Sequence, residues 1–314
     1  MDSGLILFNK KPGVTSFDAL RDIKRALVTG KVGHTGTLDK FARGLLVVLT
    51  GSALKLSRWF LHCDKQYIGK IHFGVETDTL DPEGNVIAKT SPPSREETEK
   101  ALLQFTGEIL QSPPAYSAIH VGGKRASDLA RRGEAPEMKK RPVHIYKLEL
   151  LSWQPPFAEI FAHCSSGTYI RSLARDIALA AGSRAHLCEL LRTKVANFSL
   201  KEFHTETQSH GGGEGVKDEI YQIKPITRDV ISNLGLPYFE ADKDEVKYIQ
   251  NGKPLEPVLN GKSLFSSVSP CPRAMSFPRQ TAAVFEGEEL IAVIEKIDGK
   301  WKYGCVIAGN PSAK

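Results

Sequence analysis

One stretch constrains this chain more than any other: Gly33 to Gly51, GHTGTLDKFARGLLVVLTG. Four glycines, three threonines, a histidine and an aspartate run directly into the apolar residues Leu45 to Leu49. A polar, conformationally free loop must therefore open straight into a buried element. Loops pinned to rigid buried elements are where functional side chains concentrate. Asp39 is the only carboxylate between Asp22 and Asp64. Taken alone, an Asp in such a loop is ordinarily a helix cap or a turn residue, so what singles out Asp39 has to come from the rest of the chain.

The segments around the loop carry regular patterns. Leu5 to Phe8 is a short apolar run closed by Asn-Lys-Lys-Pro-Gly, a strand ending in a turn. Thr15 and Asp18 have capping-box spacing ahead of an apolar stripe Phe17, Leu20, Ile23 and Leu27, with Gly30 placed to stop the helix. Ala53 to Leu61 is amphipathic, and in Lys65 to Gly74 the residues Tyr67, Gly69, Ile71 and Phe73 alternate with Ile68, Lys70 and His72, which predicts a two-faced strand. Asp78 and Asp81 lie in TDTLDPEG, where solvated turn residues are the default, and Ser94 with Glu97 opens a helix through Phe105. From Ser112 to Arg141 there is almost no apolar periodicity, only a short basic helix near Ala126 to Arg132; a mobile arm that orders on a polyanion is expected.

Val143 to Trp153 and Phe157 to Cys164 are predicted strands, and Thr168 opens a helix whose Ile170, Leu173, Ala174, Ile177 and Ala181 face a core. Arg171 and Arg175 share the other face near its start, where a cation is unfavourable for the helix dipole unless an anion lies opposite. A second helix is expected over Ala185 to Leu191, then a strand through Val195. His204 to Gly215 resembles a linker. Beyond Leu236 a small separate unit is expected, with a helix over Asp242 to Gln250 and strands at Thr281 to Phe285, Glu289 to Glu295 and Trp301 to Ile307. Asp298-Gly299 is the hairpin signal between the last two, and Asn260 to Gln280 is an exposed insertion.

A chain of 314 residues has room for two domains, and 41% hydrophobic with 25% charged residues describes a soluble globular protein. Its apolar runs fall far short of the roughly 20 residues that cross a bilayer, and no export signal is recognisable, so a cytoplasmic location away from membranes is expected. Five dispersed cysteines, Cys63, Cys164, Cys188, Cys271 and Cys305, form no Cys-x-x-Cys pair and predict no zinc site. The net charge of +6 gathers at Lys10 and Lys11, at Lys124, Arg125, Arg131 and Arg132, and at Lys139 to Arg141. Such clusters suit phosphates, although a merely solvated surface reads the same way. The phosphate-binding, dinucleotide, zinc-protease and serine-hydrolase signatures are missing, which leaves cofactor-free chemistry. A lone carboxylate can act as nucleophile or base where an Arg holds it ionised and water is excluded.

GHTGTLDKFARGLL, DKQY, GTYIRSLARD and the LLR that ends at Arg192 resemble, in order, the successive motifs of the bacterial tRNA pseudouridine-55 synthases, the TruB family. The similarity runs from about Gly4 to Leu200, and SPPAYSAIHVGGKRASDLARRG resembles that family's RNA-gripping insertion. The resemblance implies an α+β fold: a mixed, largely antiparallel sheet flanked by helices over residues 1–235, with the insertion near 112–142, and a small β-rich PUA-like domain over 236–314. It makes Asp39 the catalytic aspartate that attacks uridine, Tyr67 the tyrosine stacked on the flipped base, Arg171 the arginine paired to the aspartate, and His34 the histidine beside the extruded nucleotides. Lys11, Asp81, Tyr169 and Leu191 fall where pocket-lining or wall-bracing residues are expected. The substrate implied is uridine 55 in the tRNA T loop, bound through the T stem-loop by a monomer that needs neither cofactor nor protein partner.

Physical chemistry fits these roles: a uridine inside a folded loop is reachable only when flipped, and an aromatic face offsets part of the unstacking cost. Two features depart from the family. Lys40 stands where proline usually follows the aspartate, and the 260–280 insertion has no counterpart. Two alternatives stay open: a guide-RNA-dependent relative acting on ribosomal RNA, and a non-catalytic RNA-binding protein that helps tRNA fold.

Overall fold

The structure is a computed structural model, described over residues 3–134, 136–200, 221–259, 262–263 and 280–307. The chain begins with β1 (Gly4–Lys10), α1 (Ser16–Ala26), β2 (Val32–His34) and β3 (Arg43–Thr50), then a 3-10 turn (Gly51–Leu56) and α2 (Ser57–His62). β4 (Lys65–Phe73), a small hairpin of β5 (Val75–Thr77) and β6 (Val86–Lys89), α3 (Arg95–Leu103) and β7 (Gly107–Gln111) follow. An excursion carries β8 (His120–Val121), β9 (Lys124–Arg125) and α4 (Ala126–Arg131). Then come β10 (Arg141–Gln154), β11 (Phe157–Cys164), α5 (Ile170–Ala180), β12 (Ala185–Val195) and β13 (Phe198–Ser199). The last part comprises α6 (Arg228–Asn233), β14 (Tyr238–Glu240), α7 (Lys243–Gln250), α8 (Glu256–Leu259), β15 (Thr281–Glu286), β16 (Glu289–Ile297) and β17 (Lys300–Val306).

The main sheet has the order β1-β3-β12-β4-β11-β10-β7, with β2 on β3 and β13 on β12. Its pairings are antiparallel except β12 beside β3, where Leu191 lies opposite Arg43 and Arg192 opposite Gly44. This is the mixed, largely antiparallel sheet expected from the sequence. β4 alternates as predicted: Tyr67, Ile71 and Phe73 are buried in a core with Ile170, Leu173, Ala174 and Ile177 of α5, while Ile68, Lys70 and His72 are only half-buried. Each large apolar side chain so covered contributes about 1.5–3 kcal/mol.

Four local expectations need correction. Phe17 is 68% exposed, because the face of α1 that packs is Ser16, Ala19, Leu20 and Ile23, one position round the helix. The chain leaves that helix at Leu27, with Val28 at φ 49°, two residues before Gly30. Residues 185–191 form no helix; they are the start of β12, a central strand. Its ladder with β4 shifts register between Leu187 and Glu189 and again between Arg192 and Lys194. Two bulges break a two-residue alternation into spacings of three, which in sequence look helical.

The fourth correction concerns the C-terminal unit. Its four-stranded sheet, β14-β15-β16-β17, has the predicted Asp298-Gly299 turn, both residues at positive φ. One face carries its own core of Phe239, Ile249, Val258, Ile291 and Ile294. The other shares a single apolar cluster with the main domain, in which Phe285 and Val293 join Leu5, Leu49, Trp59 and Phe60. Arg58 pairs with Glu295 at 3.2 Å and Lys55 donates to the Val306 carbonyl at 2.7 Å. It is not separate from the main domain. The predicted linker 204–215 and nearly all of the 260–280 insertion lie outside the described residues.

Candidate active site

The loop between β2 and β3 is gripped on both sides. Ser16 Oγ accepts from the Leu38 amide at 2.9 Å and donates to the Leu38 carbonyl at 3.0 Å. The Lys40 carbonyl accepts from Gly13 N–H at 2.8 Å and from Lys10 Nζ at 3.3 Å, and Ala42 N–H returns to the Asp39 carbonyl at 3.1 Å. These bonds fix the backbone on either side of Asp39 although no proline follows it.

Asp39 faces Arg171, which α5 delivers from its second residue. Arg171 Nη2 donates to Asp39 Oδ1 at 3.2 Å, and Nε lies 2.9 Å from Oδ2. The Nε–H does not point at that oxygen and has no hydrogen-bond acceptor, so the contact is one hydrogen bond plus a close charge pair rather than a two-pronged fork. Nη1 donates to the Thr79 carbonyl at 2.8 Å and to Asp81 Oδ2 at 3.2 Å, and Nη2 also reaches the Tyr116 carbonyl at 3.0 Å. The early-helix cation thus has its anion, and it has two. Asp81 is buried rather than solvated, its Oδ1 held by Thr79 Oγ1 at 2.6 Å and Glu83 N–H at 3.0 Å.

A pocket of about 470 Å³ opens above this pair, lined by Asp39, Tyr67, Tyr169, Arg171, Leu190 and Arg192 among others. Asp39 keeps 35% of its side-chain exposure, into the pocket, yet protein surrounds it closely. Burial raises its pKa above the ordinary carboxylate range, Arg171 opposes that shift and Asp81 adds to it. Arg171, shared between two carboxylates, does not by itself hold Asp39 low. Tyr67 is buried and its phenol is pushed up to about 12 by burial, so it stays neutral.

The other predicted residues divide. Tyr169 precedes α5 and lines the pocket; buried Gln111 clamps its backbone, accepting from its N–H at 2.8 Å and donating to its carbonyl at 3.1 Å. His34 ends β2 with its pKa lowered by burial and by the charge of Arg192, but it is not among the pocket-lining residues. Lys11 is exposed and Leu191 half-buried, and neither lines the pocket. In both cases the preceding residue is the one turned inward. Leu190 lines the pocket, since a one-residue slip on a strand reverses the face. Lys10 is fully buried opposite Gly44 and donates to the Lys11, Val14 and Lys40 carbonyls. Burial lowers its ammonium to about 8 against the pull of Asp39. Sequence reasoning also missed Arg192 and Gln111; Lys10 and Arg192 are marked only by their ladder positions, each opposite Gly44, which the sequence does not show. Among the described residues, no cluster of three or more His, Cys, Asp or Glu could hold a metal, and no helix is long and apolar enough to cross a membrane.

A family model described as the TruB family pseudouridylate synthase, N-terminal domain, matches residues 24–170. The tRNA pseudouridine synthase B of Borrelia garinii subsp. bavariensis is 45% identical over 263 residues, covering 83% of this chain and 89% of that protein. The chain belongs to the TruB family. A second TruB-family relative, tRNA pseudouridine synthase B of Treponema denticola, is 34% identical over 352 residues, 96% of this chain and 98% of that one. Among solved structures, a Cbf5-Nop10-Gar1 complex contains a chain that superposes with TM-score 0.67 at 23% identity, covering 98% of this chain and 85% of that one. That likeness is one of fold alone.

Proposed function

We propose that this chain converts uridine 55 in the T loop of tRNA to pseudouridine, with Asp39 as the attacking group and no cofactor. The observation that carries the reading is Asp39 at the floor of a 470 Å³ pocket, 3.2 Å from Arg171 Nη2, with the Tyr67 ring in the same wall. The names of the relatives, tRNA pseudouridine synthases B, supply the substrate class.

The chemistry follows from the groups present. The target uridine leaves its stack and enters the pocket, where Tyr67 offers its face to the base. The Asp39 carboxylate attacks, the bond from N1 to the ribose breaks, the base turns, carbon 5 bonds to the ribose carbon in its place, and the bond made to Asp39 breaks again so that the carboxylate is returned. The proton on carbon 5 departs and N1 takes one up, so nothing is added or lost. Arg171 keeps the carboxylate aimed, and Asp81 keeps Arg171 in place. The basic segment 112–141, docked through the Tyr116 carbonyl and through Ser172 Oγ and Arg175 Nη2 on the Ser112 carbonyl, is the RNA grip. The C-terminal sheet serves as a PUA-like domain, and the enzyme works as a monomer on bare tRNA.

A T-arm stem-loop tritiated at uridine carbon 5 tests this directly. Wild-type protein alone should release the label, and Asp39→Asn should bind the RNA and release none. Release by Asp39→Asn at the wild-type rate sinks the assignment, and a need for added guide RNA points to the ribosomal alternative.

A further inference from the structure

Arg192 is 3% exposed, lines the pocket, and touches both of its working walls. It lies opposite Gly44 in the ladder with β3 and opposite Tyr67 in the ladder with β4. Residues opposite one another in a ladder share a face, so its side chain rises beside the Tyr67 ring. Nε donates to the Leu45 carbonyl at 2.7 Å, Nη2 to Gly36 at 3.1 Å and Nη1 to Thr37 at 3.5 Å. Those carbonyls belong to the loop that carries Asp39 and to the strand that anchors it. The same guanidinium bears on the Tyr67 hydroxyl, where its charge and hydrogen bond oppose the burial that drives the phenol upward. Its charge also depresses His34 and Lys10. One rigid planar group therefore spans the aromatic wall and the catalytic loop.

We propose that Arg192 is a positioning residue of this site: it fixes the gap between the Tyr67 ring and the Asp39 loop, and the shape of its guanidinium, beyond its charge, sets the isomerisation rate. The inference rests on the function proposed above. A Lys at this position keeps the charge but cannot present several fixed donors to diverging acceptors. Small misplacement at a reacting centre is costly, and a shift of about 1 Å corresponds to about 100-fold in rate.

The test is single-turnover tritium release from the T-arm stem-loop by full-length protein at saturating enzyme, with RNA affinity and thermal midpoint measured alongside. Arg192→Lys should fold and bind the stem-loop as wild type does, and its rate should fall about 10- to 100-fold. Combined with Tyr67→Phe, which keeps the ring, it should lose less than the product of the single losses, because both changes act on one contact. In Arg192→Met the His34 imidazole, followed by NMR, should titrate at higher pH than in wild type. A folded Arg192→Lys with the wild-type rate overturns the proposal. Should that variant fail to fold, Gly36→Ala decides: Gly36 sits at φ 147°, so a side chain there strains the backbone whose carbonyl accepts from Arg192 Nη2. The rate must then fall with Arg192 intact, and a wild-type rate in Gly36→Ala overturns the proposal equally. If wild-type protein releases no label, the proposed function itself has failed; if it does and the variants match it, only the role of Arg192 has.

Discussion

Under the proposed function Asp39 has to be ionised in a place that keeps water out, and at the scale of single residues it sits between those demands. Burial and Asp81 push its pKa up, Arg171 and Lys10 pull it down, so loss of charge should begin above the ordinary carboxylate range. The opposite limb belongs to Lys10, whose ammonium faces Asp39 and holds the Lys40 carbonyl until it deprotonates near 8. The single-turnover rate should therefore be bell-shaped, and Lys10→Met, unable to titrate, should show no alkaline limb and run at the low rate wild type reaches at high pH. Stability moves the other way. The folded value of about 8 lies below the ordinary 10.5, so between them the unfolded chain binds the extra proton and the Lys10 contribution to stability rises with pH. A denaturant series should show wild type gaining on Lys10→Met from about pH 8 upward, and equal slopes for both would contradict the burial of an ammonium there. At this scale the sequence marked several neighbours in the pocket, but it left out Arg192 and Gln111 and put His34 at a pocket it does not line. Asp39, Tyr67, Tyr169, Arg171 and Asp81 come together as expected, whereas Lys11 and Leu191 stand next to the residues that turn inward. Motif spacing fixes where a strand passes but not which face each residue takes, and only the ladder decides that.

Elements were legible where one local rule governs them, and illegible where a neighbour overrides it. The capping box at Ser94 and Glu97 and the Asp298-Gly299 turn formed as read, because each satisfies its own backbone groups. β12 did not, since its two bulges answer to the ladder with β4 rather than to its own propensity. The approach of β12 to β3 also explains Gly44. It sits at φ 107°, and a side chain there would meet the Arg192 carbonyl at 2.4 Å and Leu191 Cδ1 at 2.7 Å. Gly44→Ala must prise the two strands apart, with an expected loss of about 3 kcal/mol in chemical denaturation, and a loss under about 1 kcal/mol would mean the parallel contact is slack. The Asp39 loop has a second link to the Asp81 turn: Lys40 Nζ lies 3.1 Å from Glu83 Oε1, both half-exposed. Exposed pairs of this kind contribute about 0.2–1 kcal/mol, so Glu83→Gln should leave the melting temperature nearly unchanged, and a fall of many degrees would show that the pair carries more than its exposure allows.

For the molecule as a whole, the decisive feature is that one apolar cluster runs through both sheets. Trp59 and Phe60 of α2 sit against Phe285 and Val293, with Leu5 and Leu49 behind them, so the C-terminal sheet closes the core it would leave open on departing. Composition marks the boundary near residue 236, because glycine and polar residues gather before it, but it cannot reveal that the helix over Ser57–His62 buries its aromatic face against strands more than two hundred residues later. Shared burial makes the two sheets unfold together: exposing the face of either strips partners from the other, and an interface of this composition couples them more strongly than the few polar bonds at Arg58 and Lys55 could. Trp59 and Trp301 report the two ends of that coupling, since Trp301 packs edge-on to Phe239 in the core that belongs to the C-terminal sheet alone. Variants that keep only one of these tryptophans, with Trp153 also replaced, should therefore give superimposable denaturation curves by fluorescence. A Trp301 signal that melts at clearly lower denaturant than Trp59 would show that the C-terminal sheet stands independently and that the continuous cluster contributes little to holding it in place.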